Sequence, residues 1–345
     1  MPFKSTPLNL HSMRAADRDG HRFLTPTSSY GEDLKRIVLV VDETIRTRGK
    51  LSRVVSTPRG ELVEYTPLGR RFADLLRIPL KELEYQFPNH EFSPLYIVFK
   101  RATRHLREAH PFHTVERFDE AIERLRRYGS GTVLKRRLDS MKRGERATGA
   151  QVRDLCAHLR AERSRVMALR IDLGLHVIWA QGADLVVPPV DLAEMQGYRS
   201  QLIRWLDRGP MSKYLLAYIW KLEWGIEKGY HIHLAVMLDG NRLRKDSIIG
   251  NIIGRVWARD ITGEKGMYYN CNRNKQRYTR CALGTLHRSD AEQWGCLEQS
   301  LRYLTKSDFF LRLQVPEKTR TFGIGGLHAA KLRAMRKQIP PVHSL

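Results

Sequence analysis

Two histidines separated by one residue, His231-Ile232-His233, sit in the run Tyr230 to Leu238 (YHIHLAVML). That run reads as a β-strand, in which side chains alternate between the two faces of a sheet. Both imidazoles then point one way and Ile232 the other, which offers two nitrogen ligands to one metal ion. A bare His-x-His is also a common pair of surface polar residues, so its weight depends on the preceding run. Tyr214 to Trp224 (YLLAYIWKLEW) is strand-like, and a tight turn ending at Gly229 joins the two runs as a hairpin. With Glu227-Lys228-Gly229 as a three-residue loop and Gly229 in the left-handed region, Ile226 pairs with Tyr230. Glu223 then falls directly opposite His233 and on its face. Two imidazoles and a carboxylate, with open positions left over, suit a catalytic divalent ion, Mg²⁺ or Mn²⁺ ahead of Zn²⁺.

A second group lies further along, at Tyr303-Leu304-Thr305-Lys306. Positions three apart on a helix are neighbours, so Tyr303 and Lys306 share a face. The apolar stripe of this helix is Trp294, Leu297, Leu301 and Leu304. Tyr303 lies roughly 140° from its centre, so packing within its own helix does not explain the phenol. A tyrosine oxygen attacks phosphorus when a nearby cation lowers its pKa and a metal polarises the phosphate. Lys306 is a candidate for that cation or for a clamp on the phosphate, and its plain alternative is a solubilising charge at a helix C-terminus. The segment Tyr268 to Arg280 (YYNCNRNKQRYTR) interleaves Tyr268, Tyr269 and Tyr278 with Arg273, Lys275, Arg277 and Arg280. Stacking bases on aromatic rings while cations follow the backbone is a common way to hold a single strand, and a solvated loop has the same composition. Cys271, Cys281 and Cys296, with His287 nearby, contain no Cys-x-x-Cys pair and read as ordinary thiols. No Walker-type phosphate loop is present.

Taken in order, Val166 to Leu173, then Glu223…His231-Ile232-His233, then Tyr303-Leu304-Thr305-Lys306, the chain resembles the three motifs of HUH endonucleases. Those are single-strand nickases that initiate rolling-circle replication. The wider context is Lys221-Leu222-Glu223-Trp224, Lys228-Gly229-Tyr230 and Arg320-Thr321-Phe322-Gly323. It is similar to the inovirus-type gene II replication initiators and their prophage relatives with a YagK/YfjJ-type C-terminal domain. The resemblance spans Arg165 to Gly326. It implies that His231 and His233 ligate a divalent metal, with Glu223 as the third ligand. It also implies that Tyr303 attacks the scissile phosphodiester, forming a 5′-phosphotyrosine link and releasing a 3′-OH, while Lys306 assists at the phosphate. Asp172, within the first motif, would orient the site or the DNA. Members with two catalytic tyrosines place the second three or four residues after the first. Lys306 and Ser307 stand there, which implies a single-tyrosine enzyme. The implied partners are single-stranded or hairpin origin DNA, with a host helicase and polymerase. Two other readings use the same residues: a non-catalytic DNA-binding prophage protein that keeps the fold, and an HUH transposase or relaxase.

These residues need a scaffold, and the pattern around them predicts one. The expected fold class is α+β: an HUH-type domain with a central antiparallel sheet flanked by helices, preceded by a mainly helical region. Val166 to Leu173 alternates as a strand that Val177 to Ala180 extends. Asp191 to Leu206, Arg244 to Arg259 and Ala291 to Thr305 read as helices, and Met267 to Arg280 as irregular. Upstream, Pro94 to Ala109, Thr114 to Arg127 and Thr148 to Arg163 carry helical stripes, Thr148 and Gln151 forming a capping box. Leu51 to Tyr65, around Pro58-Arg59-Gly60, reads as a β-hairpin. The expected divisions are a disordered tail over 1–33, a helical accessory region over 34–163, the endonuclease-like domain over 164–335 and a C-terminal tail over 336–345.

Composition bounds the partners. The 345 residues hold 60 Lys+Arg and 37 Asp+Glu, a formal charge of +23, which points to a polyanion such as nucleic acid. No apolar run approaches the ~18 residues of a membrane helix, and Met1 to Leu10 carries no secretory h-region. Four cysteines are too few for a disulfide scaffold. The expected location is the cytoplasm of a bacterial host cell.

Overall fold

A computed structural model of the chain describes residues 15–16, 22–23, 26–58, 60–87, 90–108, 115–176, 178–179, 186–187, 190–225, 229–278, 282–304, 311–313 and 320–326. The chain divides into two compact units, Met1–Gly144 with Ser307–Gln314, and Glu145–Lys306 with Val315–Leu345. It is α+β, with antiparallel sheets and a mainly helical N-terminal part.

The first unit opens with a short ladder, β1 (Ala15–Ala16) and β2 (Arg22–Phe23), followed by helix α1 (Pro26–Arg46). That helix begins inside the stretch expected to be a tail. The hairpin of β3 (Ser52–Thr57) and β4 (Gly60–Tyr65) forms where Pro58 and Gly60 turn the chain. Next come α2 (Pro67–Leu75), α3 (Leu80–Gln86), β5 (His90–Phe92), α4 (Pro94–Glu108) and α5 (Val115–Ser130). Thr66 caps α2 by accepting from the Gly69 amide at 3.0 Å. Phe72 packs edge-on against Phe99 and Phe118, with ring centroids 5.8 and 5.7 Å apart, at the centre of this unit's core.

The next helix, α6 (Thr132–Glu162), is continuous across the division between the units. Thr148 therefore lies in mid-helix and is not the N-cap that its pairing with Gln151 suggests. Residues 135–147 carry only Leu138 and Met141 as large apolar side chains and are mostly exposed, but Lys, Arg, Glu and Ala are good helix formers and carry the helix through. The stripe does appear in the second half, where Val152, Leu155, Cys156 and Leu159 are buried.

The second unit is built on one antiparallel sheet. Its elements are β6 (Arg165–Leu175), the small ladder β7 (Ile178–Trp179) with β8 (Val186–Val187), α7 (Leu192–Arg208), β9 (Leu215–Gly225), β10 (Gly229–Asp239) and α8 (Asp246–Arg255). A π-helical turn, Val256–Ile261, extends α8 and leads to β11 (Gly266–Asn270) and a 3₁₀ segment, Cys271–Arg277. Then follow β12 (Gly284–His287), α9 (Ala291–Tyr303) and, after β13 (Leu311–Leu313), which belongs to the first unit and pairs there with β5, the strand β14 (Phe322–Gly325). The strand order is β11-β6-β10-β9-β14, and β12 shares the outer edge of β6 with β11.

Alternation decides what each face buries. On one face, Val166, Ala168, Ala217, Ile219, Ala235 and Met237 pack against the α6 stripe and against Trp294, Leu297, Leu301 and Leu304 of α9. On the other face, Ile232, Leu234 and Val236 of β10 and Leu169, Ile171 and Leu173 of β6 are buried beneath the layer that carries α7 and α8. Trp257 ties that layer to the sheet by donating from Nε1 to the Gly174 carbonyl at 2.8 Å.

Three strands of this large sheet lie outside the expected set: β11, β12 and β14. The first was expected to be irregular, and its polar, half-exposed sequence shows little alternation. In β14 the cause is glycine. A Cβ on Gly323 or Gly325 would come within 2.5 or 2.1 Å of the Trp220 and Tyr218 rings, so only a strand without side chains there can lie along β9. No helix among the described residues is long and apolar enough to cross a membrane.

Two helical glycines test this packing with opposite signs. A Cβ at Gly254 of α8 would lie 2.2 Å from the Tyr268 ring, whereas nothing lies within 4 Å of one at Gly295 of α9. Gly295→Ala should stabilise the protein by roughly 0.5–1 kcal/mol through helix propensity. Gly254→Ala should lose that gain and cost about 1–3 kcal/mol by overpacking. Urea denaturation of the two variants measures the contrast, and a stabilised Gly254→Ala would contradict the packing described.

Candidate functional site

The β9–β10 hairpin closes with Gly225 opposite Gly229, and Gly229 has the expected positive φ of 59°. Residues 226–228, which include the expected loop positions Glu227 and Lys228, lie outside the described residues. The register differs from the expected one. Tyr230 pairs with Trp224, so Glu223 faces His231 and Lys221 faces His233. The difference is two residues along one strand, and with a side-chain period of two it leaves Glu223 on the same face as both histidines. Ile232 points to the other layer, fully buried, as its position requires.

Glu223 Oε2 lies 3.7 Å from His231 Nε2 and 3.3 Å from His233 Nε2. Two ligands each ~2.1 Å from one ion in tetrahedral or octahedral geometry sit about 3–3.5 Å apart, so the trio is spaced for a shared metal. It is the one group of three or more His, Cys, Asp or Glu among the described residues that could hold a metal ion. The far sides of both rings are anchored. His231 Nδ1 meets the Gly229 carbonyl at 3.1 Å, and His233 Nδ1 meets Asp172 Oδ1 at 2.6 Å. Donation from each Nδ1–H turns each Nε2 toward Glu223, as ligand imidazoles are commonly held.

Asp172 reaches this position because β6 is the other neighbour of β10, with Asp172 opposite His233 in the ladder. Arg170, two residues earlier on the same face, stands with Nε 3.5 Å from Asp172 Oδ1. Burial alone would lower the His233 pKa, but the Asp172 and Glu223 carboxylates outweigh it and push it up to about 9. Burial would raise both acids; instead His233, with Arg170, holds Asp172 far below the usual carboxylate range. Hydrogen bonds from His231 and His233 do the same for Glu223.

Sequence reasoning missed two cations on this face. Lys221, opposite His233, is only 2% exposed, and a lysine so buried is rare. A charge in the middle of an apolar strand, in phase with Glu223, was the available signal. Arg170 carried the same signal relative to Asp172.

The expected nucleophile is less fully placed. Tyr303 is the last residue of α9, the helix that covers the sheet face bearing Glu223, His231 and His233. Its side chain and Lys306 lie outside the described residues, as do Arg280, Cys281 and the expected C-terminal tail.

The aromatic-basic segment divides into two roles. Tyr268 faces α8, where its ring packs against Gly254. Tyr269 pairs with Asp172 across the ladder, shares the site face and is 39% exposed. Its hydroxyl accepts from Asn274 Nδ2 at 3.0 Å. Lys275 forms an ion pair with Asp246 at 2.6 Å, which ties the 3₁₀ segment to α8. Arg273, Arg277 and Tyr278 are exposed. Asn272, buried, accepts from the Arg170 amide and donates to the Ala168 carbonyl, each at 2.9 Å, and so fastens the segment to β6. Burial pushes the Cys271 thiol up to about 11 and the Cys156 thiol up to about 12, as for inert core thiols.

Comparison with protein-family models, with curated proteins and with solved structures gave no match to this chain.

Two outcomes follow from the geometry. Calorimetric titration with Mn²⁺ or Zn²⁺ should show one site that His233→Ala or Glu223→Gln abolishes. Asp172→Asn should weaken it by roughly 10–100-fold through loss of the histidine's anchor. In the metal-free protein the raised His233 pKa gives stability that is full below about 6.5 and lost as pH rises through about 9. The urea midpoint should therefore fall over that interval, and His233→Gln should remove the fall.

Proposed function

We propose that this chain is an HUH-type, single-tyrosine DNA nickase that initiates rolling-circle replication of a filamentous phage or prophage in the cytoplasm of its bacterial host. The observation that carries the reading is the convergence of Glu223 Oε2 with the Nε2 atoms of His231 and His233, on the sheet face that the Tyr303-bearing helix covers. The order of the motifs along the chain and the +23 charge support it.

In this reading Glu223, His231 and His233 hold a Mg²⁺ or Mn²⁺ ion, which supplies Lewis-acid polarisation of the scissile phosphate. The protein's own groups do the rest. Asp172 holds the His233 ring so that its ligand nitrogen stays aimed at the site. The Tyr303 oxygen attacks phosphorus; the Tyr–O–P bond forms as the P–O3′ bond breaks. The tyrosine's proton leaves and the departing oxygen gains one, giving a 3′-OH. Lys306 stabilises charge at the phosphate. Rejoining is the reverse attack by a 3′-OH on the phosphotyrosine. Tyr269, exposed beside Asp172 on the same face, is suited to stack a base of the strand.

Covalent trapping tests this. The protein, Mn²⁺ and a labelled single-stranded oligonucleotide from the element's own intergenic region should give a denaturation-resistant adduct. EDTA and Tyr303→Phe should each abolish it. Tight DNA binding with no adduct anywhere in that region would instead favour a non-catalytic DNA-binding protein.

A further inference from the structure

At the opposite end of the β9–β10 hairpin from the histidines lies a cleft of about 750 Å³, within the ~300–1,000 Å³ range of small-molecule sites. Along β10 the separation from His233 to Asp239 is roughly 20 Å at ~3.3 Å per residue. We propose that this cleft binds a nucleotide, taking its phosphate at the rim and its base inside.

Three cations line the cleft: Arg163, Lys213 and Arg242. Arg163 Nη1 stands 3.7 Å from Asp239 Oδ2, but its Nε is buried with no hydrogen-bond partner among the described residues. Its side chain as a whole is 35% exposed, and a guanidinium is a strong partner for a phosphate oxyanion. Lys213 and Arg242 both stand over the Tyr214 ring, at 5.2 and 4.9 Å from its centroid. Neither has a carboxylate ion-pair partner among the described residues, so both are available to a phosphate.

The rest of the lining argues against a bare polyanion. Leu216 and Ile324 contribute apolar surface on which a base can lie. Asp207 is held at the wall by the Tyr218 hydroxyl, which donates to Oδ2 at 3.1 Å. A carboxylate there repels a second phosphate but accepts from a ring or exocyclic N–H. Gly325 and Gly326, whose missing side chains let β14 lie close along β9, complete the lining. Cations for one phosphate, an apolar floor and an acceptor for N–H together match a nucleotide.

The same chemistry comes from two sources, a nucleotide of a single strand that also reaches the Glu223–His231–His233 site or a free nucleotide. The first rests on the proposed function and the second does not. Two measurements on the full chain separate them: anisotropy with a labelled single strand of about 20 nucleotides, and calorimetry with dAMP. The cleft variant is Lys213→Ala with Arg242→Ala. Lys135→Ala with Arg136→Ala, on the exposed part of α6, removes the same charge elsewhere as a control for non-specific electrostatics.

The expected result is that the cleft variant loses dAMP binding and binds the strand about tenfold more weakly, with the control changed by less than about threefold. Loss of dAMP binding with strand affinity unchanged would keep the site and assign it to free nucleotides. Equal weakening by both variants, or no dAMP binding to the wild-type protein, would overturn the proposal. Adduct formation at Tyr303 is scored separately. Its absence, with cleft-dependent binding intact, counts against the nickase reading alone.

Discussion

An imidazole and a carboxylate 2.6 Å apart, His233 and Asp172, set the terms for the rest of the sheet. Buried ionisable groups are costly unless each charge has a partner and each lone pair a donor. Here the compensation runs across three strands: Arg170 and Asp172 on β6, His231 and His233 on β10, Glu223 on β9. It holds only if β10 lies between the other two and all three are in register. The order β6-β10-β9 is thus an electrostatic requirement as much as a hydrophobic one. A slip of one residue would send the histidines into the apolar layer of Leu234 and Val236.

One face therefore has two characters. Toward the middle of the sheet it is apolar, closed by Leu155 and Leu159 of α6 and by Trp294, Leu297 and Leu301 of α9. Toward one end of the strands it becomes polar, and Glu223, Asp172 and Tyr269 retain some exposure there. The apolar part is stiff because it is close-packed, and stiffness is what a ligand set needs if its donors are to be aimed before anything binds. The opposite end of the same hairpin repeats the arrangement in another form, with Asp207, Asp239 and the cations around them rimming an open cleft. A single core thus supports polar groups at both ends.

The secondary structure near the site was largely legible from residue order, because its signals are local. A period of two in Tyr230 to Leu238 places both histidines on one face, and a period near 3.6 identifies the buried stripe of α9. In the structure Asp290 caps the start of α9, its side chain accepting from the Gln293 amide at 3.0 Å. The Glu223–histidine grouping survived an expected register that differed from the one found, since a two-residue difference preserves parity. Where local signals were weak the expectation failed. The charged half of α6 gives no stripe, so its continuity with the following helix was hidden, and β11, β12 and β14 were absent from the expectation.

What depended on tertiary structure was the company each residue keeps. Nothing local to Asp172 says that it will meet a histidine 61 positions away; the charges of Lys221 and Arg170 inside apolar strands mark them as unusual, but only the assembled sheet buries the first and half-buries the second. Tyr268 and Tyr269 look alike in order but end on opposite faces, one against α8 and one on the site side. The physical reason is that periodicity is set by bonds along the chain, whereas pairing, burial and pKa are set by strands brought together from distant segments. Residue order thus determined which side chains could share a face, and the sheet decided which of them touch.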